Sequence, residues 1–423
     1  MSSRNIYPET TTKPNFPEIE EKILAFWNKE KIFERSVDER DEKNEFVFYD
    51  GPPFANGLPH YGHVLQSFTK DTVARYQTMK GKKVNRRWGW DCHGLPPELK
   101  TEKELGISGK KAIEEYGVDK FTDKCRIDVL TYANDWKGII NRLGRWVDME
   151  NAYKTMDKEY SESIMWAFKT LYEKGLLYED FRILPYSWAA ETPLSNFEVN
   201  QAYQDKTDTT ATVKFALENG LTLLVWTTTP WTLPSNLMLA TGANIEYTIF
   251  EKDGEKLTLA TARIPAYKKE LEGATEIGKI MGSELKGIHY KPLFPYFEKY
   301  RDEYNAFQVL NGDFVSTEDG TGIVHIAPGF GEDDFNLCKS YNPNFPILCP
   351  IDSTGCFNCE VKDFEGKQVF DTNNDILARL KAEGKLFKKD QLVHSYPFCW
   401  RTDKPLIYKA MSSWFVRVEQ IKD

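Results

Sequence analysis

A turn of thirteen residues, Gly51-Pro-Pro-Phe-Ala-Asn-Gly-Leu-Pro-His-Tyr-Gly-His63, constrains this chain more than any other stretch. A short apolar run, Phe46-Val47-Phe48-Tyr49, precedes it, and a helical spacing of Val64, Leu65, Phe68, Val73 and Tyr76 follows. Strand, glycine- and proline-rich turn, then helix is a setting in which a loop holds phosphates. The backbone approaches a ligand where side chains are absent, and the positive end of the helix favours an anion. His60 and His63, three apart on an opening helical turn, can point the same way and donate hydrogen bonds to a triphosphate. The plain alternative is a polar turn with two surface histidines.

After the helix of 64–79, Gly81 reads as a C-cap and Val84 to Trp88 as a second strand. Strand–helix–strand of this length is a βαβ unit, so the expected fold is α/β with a parallel sheet of Rossmann type. The second strand runs out into Gly89-Trp-Asp-Cys-His-Gly-Leu-Pro96. Ligands of open α/β sheets bind beyond the carboxyl ends of strands, so Asp91 is expected in the same crevice as His60 and His63. There a carboxylate can pair with the α-ammonium of an amino acid. An acidic turn flanked by glycines is the competing reading.

Upstream, residues 17–35 read as one amphipathic helix: Pro17 suits the first position, and Ile19, Ile23, Phe26 and Trp27 share a face. Downstream, from 118 to 175, stripes of Val129, Trp136, Ile140 and then Ile164, Met165, Phe168 and Tyr172 read as core helices. Near residue 209 the period changes. Val213, Phe215 and Leu217 alternate, Asn219-Gly220 marks a hairpin, and Leu221, Leu223 and Val225 alternate again. The expectation is a β-rich (α+β) domain inserted into the first.

The insert carries its own chemistry. Trp226-Thr-Thr-Thr-Pro-Trp-Thr-Leu-Pro-Ser-Asn236 sets the hydroxyls of Thr227, Thr228, Thr229 and Thr232 and the Asn236 amide on a strand end and turn, with Trp231 between them. Such hydroxyls can hold a ribose or ester oxygen, or position a water; threonine-rich strands are also ordinary in β proteins. In Gly320-Thr-Gly-Ile-Val-His-Ile-Ala-Pro-Gly-Phe-Gly-Glu-Asp-Asp334 a strand delivers His325 to a loop that ends in acids. His325 and Asp334 can bind an α-amino group and order a hydrolytic water, while Glu332 and Asp333 read equally well as loop solvation.

The Pro-Pro-Phe-Ala-Asn-Gly-Leu-Pro-His-Tyr-Gly-His block resembles the "HIGH" signature of class I aminoacyl-tRNA synthetases. The Gly89–Pro96 block and the threonine string narrow the resemblance to the isoleucyl-tRNA synthetases, and it runs from about Pro17 to the last residue. Trp90, Cys92 and His93 fit the valyl and leucyl enzymes poorly, and those carry an arginine in the threonine run. The resemblance implies ATP-dependent activation of L-isoleucine and transfer to tRNA(Ile), with hydrolytic editing of valine. ATP with Mg2+ enters as substrate. It implies His60 and His63 as catalytic groups; Asn56, Gly57, His60, Gly62 and His63 at the nucleotide; and Gly51, Pro52, Asp91 and Trp414 at the amino acid. Thr227, Thr228, Thr229, Trp231, Thr232, Asn236, His325 and Asp334 would form the editing pocket. The expected domains are an N-terminal helical extension (1–45), a Rossmann-fold catalytic domain begun at 46–199, the inserted editing domain at 200–395 and a return at 396–423. A monomer is expected. Where relatives carry zinc-binding cysteine pairs, Ser187, Ala189 and Ala190 stand here, with only Cys399 on the return side, so no structural zinc is expected. The chain reaches Asp423 without a Lys-Met-Ser-Lys-Ser loop, so it reads as part of a longer enzyme that by itself does not form adenylate. Two rivals stay open: a valyl or leucyl synthetase, and a stand-alone tRNA-deacylating hydrolase.

Composition narrows the class further. A chain of 423 residues, 41% hydrophobic and 14% aromatic, has material for two or three packed domains. A net charge of −9 argues against a broad polybasic footprint, so RNA contact must be local, through clusters such as Lys80, Lys82, Lys83, Arg86 and Arg87. The start has no apolar h-region and no run approaches transmembrane length, so a cytoplasmic protein with no membrane partner is expected. Seven scattered cysteines suggest reduced thiols, with Cys356 and Cys359 incidental at a turn. No histidines show H-x-x-x-H spacing, and no catalytic metal is expected.

Overall fold

The computed structural model describes residues 13–422, which fall into two compact units, the first ending at Gly175 and the second beginning at Leu176. The first unit opens with α1 (Phe16–Glu30) and α2 (Ile32–Asp38). The single helix expected over 17–35 is broken at Lys31, whose φ of 50° is left-handed and whose N–H closes on the Trp27 carbonyl. The break lets two aromatics reach one partner: Trp27 meets Trp146 edge-on at 5.3 Å, and Phe33 meets it at 6.5 Å.

The run at 46–49 forms no regular strand. Glu45 bridges Lys83 and Phe54 bridges Asp91, both in parallel, but Pro52 and Pro53 lie between those bridges and have no N–H to extend a ladder. Helix α3 (Tyr61–Met79) follows the turn, and β1 occupies Arg87–Trp90, later than the expected Val84–Trp88. Three helices, α4 (Leu95–Leu105), α5 (Lys110–Tyr116) and α6 (Val118–Asp128), lead to α7 (Ala133–Arg142) and β2 (Asp148–Lys154). β1 pairs with β2 in parallel, as a βαβ crossover requires. Gly89 lies opposite Tyr153, and a Cβ there would come within 2.2 Å of the tyrosine ring. Trp88, Trp90 and Trp136 meet at 5.4–6.0 Å between centroids and, with Val129 and Ile140, form the core beneath the turn. The stripe on α8 (Lys158–Glu173) differs from expectation: Ile164, Met165 and Tyr172 are exposed. Helical spacing reports that a face is apolar and is silent on what covers it.

The second unit is dominated by strands. β3 (Leu177–Ser187), β4 (Thr192–Pro193) and the short α9 (Asn196–Val199) lead to β5 (Tyr203–Ala216) and β6 (Leu221–Thr227). The expected hairpin joins β5 to β6, with Gly220 at φ 86° in the turn. β7 (Met238–Thr241), β8 (Glu246–Lys252), β9 (Glu255–Ala260) and β10 (Thr275–Met281) follow. Next come α10 (Gly282–Leu285), α11 (Tyr300–Tyr304), β11 (Val309–Asn311), β12 (Ile323–Ile326) and α12 (Glu332–Tyr341), then α13 (Asn373–Ala382), β13 (Leu386–Pro397) and β14 (Ile407–Val416). Six strands form a sheet in the order β10-β8-β9-β6-β5-β13, and a second sheet has the order β11-β7-β12. The segment that enters on β5 leaves on its antiparallel neighbour β13, with Tyr203 opposite Pro397. A third sheet, β14-β3-β4, pairs the two ends of the unit. The main apolar cluster of the unit includes Phe215, Leu223, Leu237, Tyr290, Phe307 and Ile326, and a smaller one gathers Leu224, Phe250, Leu257 and Leu259.

Candidate active sites

In the first unit, His60 is the N-cap of α3. Its Nδ1 accepts the Gly62 N–H at 3.1 Å, and the His63 Nδ1 accepts the His60 N–H at 3.2 Å. Gly62 permits this: a Cβ there would sit 2.8 Å from the His60 ring. Because each Nδ1 accepts from the backbone, each neutral ring carries its proton on Nε2. The two rings stack at 3.7 Å, and His63 also meets Trp136 edge-on at 4.8 Å. Burial, with His60 and Lys70 nearby, holds His63 below the ordinary imidazole range. The pair is therefore built to donate hydrogen bonds from Nε2–H at a helix N-terminus.

The loop before the helix is braced from α7. The Trp136 Nε1–H donates to the Gly57 carbonyl at 2.8 Å and the Tyr132 N–H to the Ala55 carbonyl at 3.2 Å, with Asn56 half-buried between them. The Asp91 N–H donates to the Pro53 carbonyl at 2.9 Å, which ties the Gly89–Pro96 block to the turn. The Asp91 carboxylate accepts from Thr155 Oγ1 at 3.5 Å. Gly51, Pro52 and His63 line a cavity of about 230 Å3; Asn56, Gly57, His60, Gly62 and Asp91 border the turn without lining it. Trp414 belongs to the second unit, exposed on β14 opposite Glu179.

Three charged groups at this cavity were not singled out from the sequence. Asp50 is buried and ion-paired with both Lys70 and Arg145, and Lys70 also reaches the Gly51 carbonyl at 3.3 Å. They are separated by 20 and 95 residues from their common partner, so no local motif announces them. An aspartate closing the apolar run 46–49 was the one available signal.

The second centre lies wholly within the second unit. Thr227, Thr228, Thr229, Thr232, His325 and Asp334 line one cavity of about 370 Å3, together with Trp226, Phe314 and Phe330. The β6 end and the following 3-10 turn Pro230–Ser235 supply the threonines, β12 supplies His325, and the first turn of α12 supplies Asp334. Thr232 Oγ1 lies 2.8 Å from His325 Nε2 and donates to the Thr229 carbonyl at 2.8 Å; the Thr229 N–H donates to Thr227 Oγ1 at 3.1 Å. The Ala327 N–H donates to the Asp334 carboxyl at 2.7 Å. Burial pushes that carboxyl up to about 7 and pushes His325 down to about 4. Trp231 and Asn236 do not line the cavity. Trp231 packs edge-on against Phe330 at 4.9 Å, and Asn236 lies buried behind His325.

Among the described residues no group of three His, Cys, Asp or Glu is placed to hold a metal ion, and no helix is long and apolar enough to cross a membrane. The first unit sets two Nε2–H donors at the start of a helix, a setting that suits an anion, and the second unit holds a separate hydroxyl-lined pocket. The profile of the tRNA synthetases class I (I, L, M and V) matches residues 22–423, and the chain belongs to that family. Along its whole length it is similar to isoleucine–tRNA ligases: 52% identical over 437 residues to that of Rickettsia peacockii (strain Rustic) and 51% over 448 residues to that of Rickettsia felis (strain ATCC VR-1525 / URRWXCal2). Each alignment covers 100% of this chain and 40% of the relative, so the chain spans about 40% of the length of the curated relatives it matches. A solved LeuRS–tRNA–LeuAMS ternary complex from Agrobacterium radiobacter K84 matches more distantly, at 17% identity over 90% of this chain and 49% of that one, with a TM-score of 0.34.

Proposed function

We propose that the protein to which these residues belong activates L-isoleucine with ATP, passes the acyl group to tRNA(Ile), and hydrolyses valyl products in the segment 200–395. In the first step a carboxylate oxygen bonds to the α-phosphorus and the bond to pyrophosphate breaks. Negative charge grows on the phosphoryl oxygens, and the Nε2–H groups of His60 and His63 stabilise it without surrendering a proton. ATP brings Mg2+ with it as substrate. Asp91 holds the ammonium, Gly51 and Pro52 form the floor of the amino-acid site, and Asn56, Gly57 and Gly62 shape the nucleotide loop. The observation that carries this reading is the pair of Nδ1 contacts that turn both imidazoles into donors at the start of α3.

A missing methylene is worth only about 1–3 kcal/mol, the established case being isoleucine against valine on these same enzymes, so binding alone leaves valine unrejected. The second pocket answers that need. Water adds to the ester carbonyl, the ribose oxygen leaves with a proton, and Asp334 holds the ammonium while the threonine hydroxyls hold the ribose and ester oxygens.

Two measurements test the reading. Isoleucine, rather than leucine or valine, is expected to raise the thermal midpoint of the chain most, and protection by leucine instead would overturn the assignment. The 423-residue chain is expected to hydrolyse valyl-tRNA(Ile) above the uncatalysed rate. An inert chain would remove the second pocket's role.

A further inference from the structure

Behind the hydroxyl-lined pocket lies a chain of hydrogen bonds whose direction is determined by one acceptor. Asn236 Nδ2 lies 2.8 Å from the Met238 carbonyl. A carbonyl only accepts, so that end of the amide is the NH2 and the other end is the oxygen. The oxygen faces Tyr290 Oη at 2.6 Å, so the tyrosine must donate. The remaining amide N–H points at His325 Nδ1, 3.5 Å away, and that nitrogen must accept. His325 is neutral, its proton therefore sits on Nε2, and Nε2–H donates to Thr232 Oγ1. Thr232 in turn gives its hydroxyl proton to the Thr229 carbonyl, which closes the turn that carries the threonines.

Tyr290 itself does not line the hydroxyl-lined pocket. It is fully buried, with Phe215 and Phe307 edge-on to its ring at 5.3 and 5.9 Å, and its N–H bonds to the Phe307 carbonyl at 2.8 Å. Its ring is fixed by packing, so its hydroxyl is aimed at Asn236 before any ligand arrives. We infer that Tyr290, acting through Asn236, is a positioning residue for the hydrolytic pocket: it holds His325 as the Nε2–H tautomer and so holds the Thr229–Thr232 turn in place. In the opposite tautomer, Nδ1–H would confront the Asn236 N–H, and the bare Nε2 would draw the Thr232 hydroxyl proton away from the Thr229 carbonyl. With both ring nitrogens engaged, His325 orients rather than abstracts protons. This inference rests on the hydrolytic reading of the pocket, but the tautomer can be read without substrate.

Tyr290→Phe keeps the ring packing and removes only the hydroxyl; Asn236→Leu, a second route to the same loss, covers the case in which the first variant does not fold. In the 423-residue chain labelled with 15N-histidine, the His325 ring is expected to report Nε2–H in the parent protein and a mixture of tautomers in either variant. Hydrolysis of valyl-tRNA(Ile) is expected to fall roughly two- to tenfold in kcat, the effect of one neutral hydrogen bond, with KM for the Tyr290→Phe chain unchanged. An unaltered tautomer in both variants overturns the inference, as does a shifted tautomer with hydrolysis at the parent rate. If the parent chain shows the Nε2–H tautomer yet hydrolyses nothing, the hydrolytic reading fails and the positioning role fails with it, while the hydrogen-bond chain stands.

Discussion

Asp334 and His325 sit in one cavity and respond to pH in opposite senses. The Asp334 carboxyl is raised by burial from 3.8 to about 7. Between those values the folded state holds a proton that the unfolded state has released, so its contribution to stability is lost as pH rises through the window. The His325 ring is lowered from 6.5 to about 4. There the unfolded state holds the extra proton, so stability is lost as pH falls through about 6.5 towards 4. Between pH 4 and 6.5 the two slopes oppose each other. Asp334→Asn keeps an acceptor for the Ala327 N–H and removes the first slope. The variant is expected to gain on the order of a few kcal/mol over the parent at pH 8 and little at pH 4. His325→Gln is expected to gain on the acid side only. Urea unfolding at a series of pH values checks both, and slopes that change in the same direction would contradict the assignment. On the proposed hydrolytic reading, hydrolysis of valyl-tRNA(Ile) by the parent chain, above background, should fall as pH drops through about 7, because a protonated carboxyl cannot hold an ammonium. In the first unit, Asp50→Asn leaves Arg145 buried without its counter-charge. A loss of about 3–5 kcal/mol is expected, read as a lower urea midpoint.

At the scale of elements, the turn before α3 depends on β1 and β2 lying flush. Gly89→Ala would place a methyl carbon within 2.2 Å of the Tyr153 ring, so either the ring or the strand must move. The expected loss is about 1–3 kcal/mol, a drop of several degrees in thermal midpoint, with partial recovery on adding Tyr153→Leu. No recovery would mean that the glycine matters for some other reason. The same elements mark how far the sequence could be read. The threonine string, His325 and Asp334 were legible because they cluster in two short segments bounded by glycine and proline, and the structure puts them around one cavity. The α3 start was legible because a glycine- and proline-rich turn and a helical period meet there. The apolar run 46–49 was over-read as a strand because a short apolar run says nothing about the prolines that end the pairing. Asp50, Lys70 and Arg145 were invisible for a different reason: a charge cluster assembled across 95 residues leaves no periodic trace. Tyr290 is 54 residues from the asparagine it orients and reads as one more buried aromatic.

For the molecule as a whole, the relevant question is whether the second unit carries its own means of folding. Its ends are paired along ten positions, from Leu177 opposite Val416 to Tyr186 opposite Ile407, so entry and exit strands are pinned to each other. Its segment from β5 to β13 is likewise closed by adjacent antiparallel strands. Fully buried side chains such as Phe215, Leu223, Tyr290 and Phe307 each contribute roughly 1.5–3 kcal/mol when removed from water, and they all belong to one cluster inside the unit. Every hydrogen bond of the Tyr290–Asn236–His325–Thr232 chain also lies within it. A polypeptide of residues 176–423 is therefore expected to unfold in one cooperative urea transition and to hydrolyse valyl-tRNA(Ile) with a kcat within a few-fold of the 423-residue chain. Asp334→Asn in this shorter polypeptide should reproduce the stability gain at pH 8 expected of the longer one. A 176–423 polypeptide that lacks a cooperative transition, or folds and shows no such gain, would mean that the pocket's electrostatics depend on residues outside the unit.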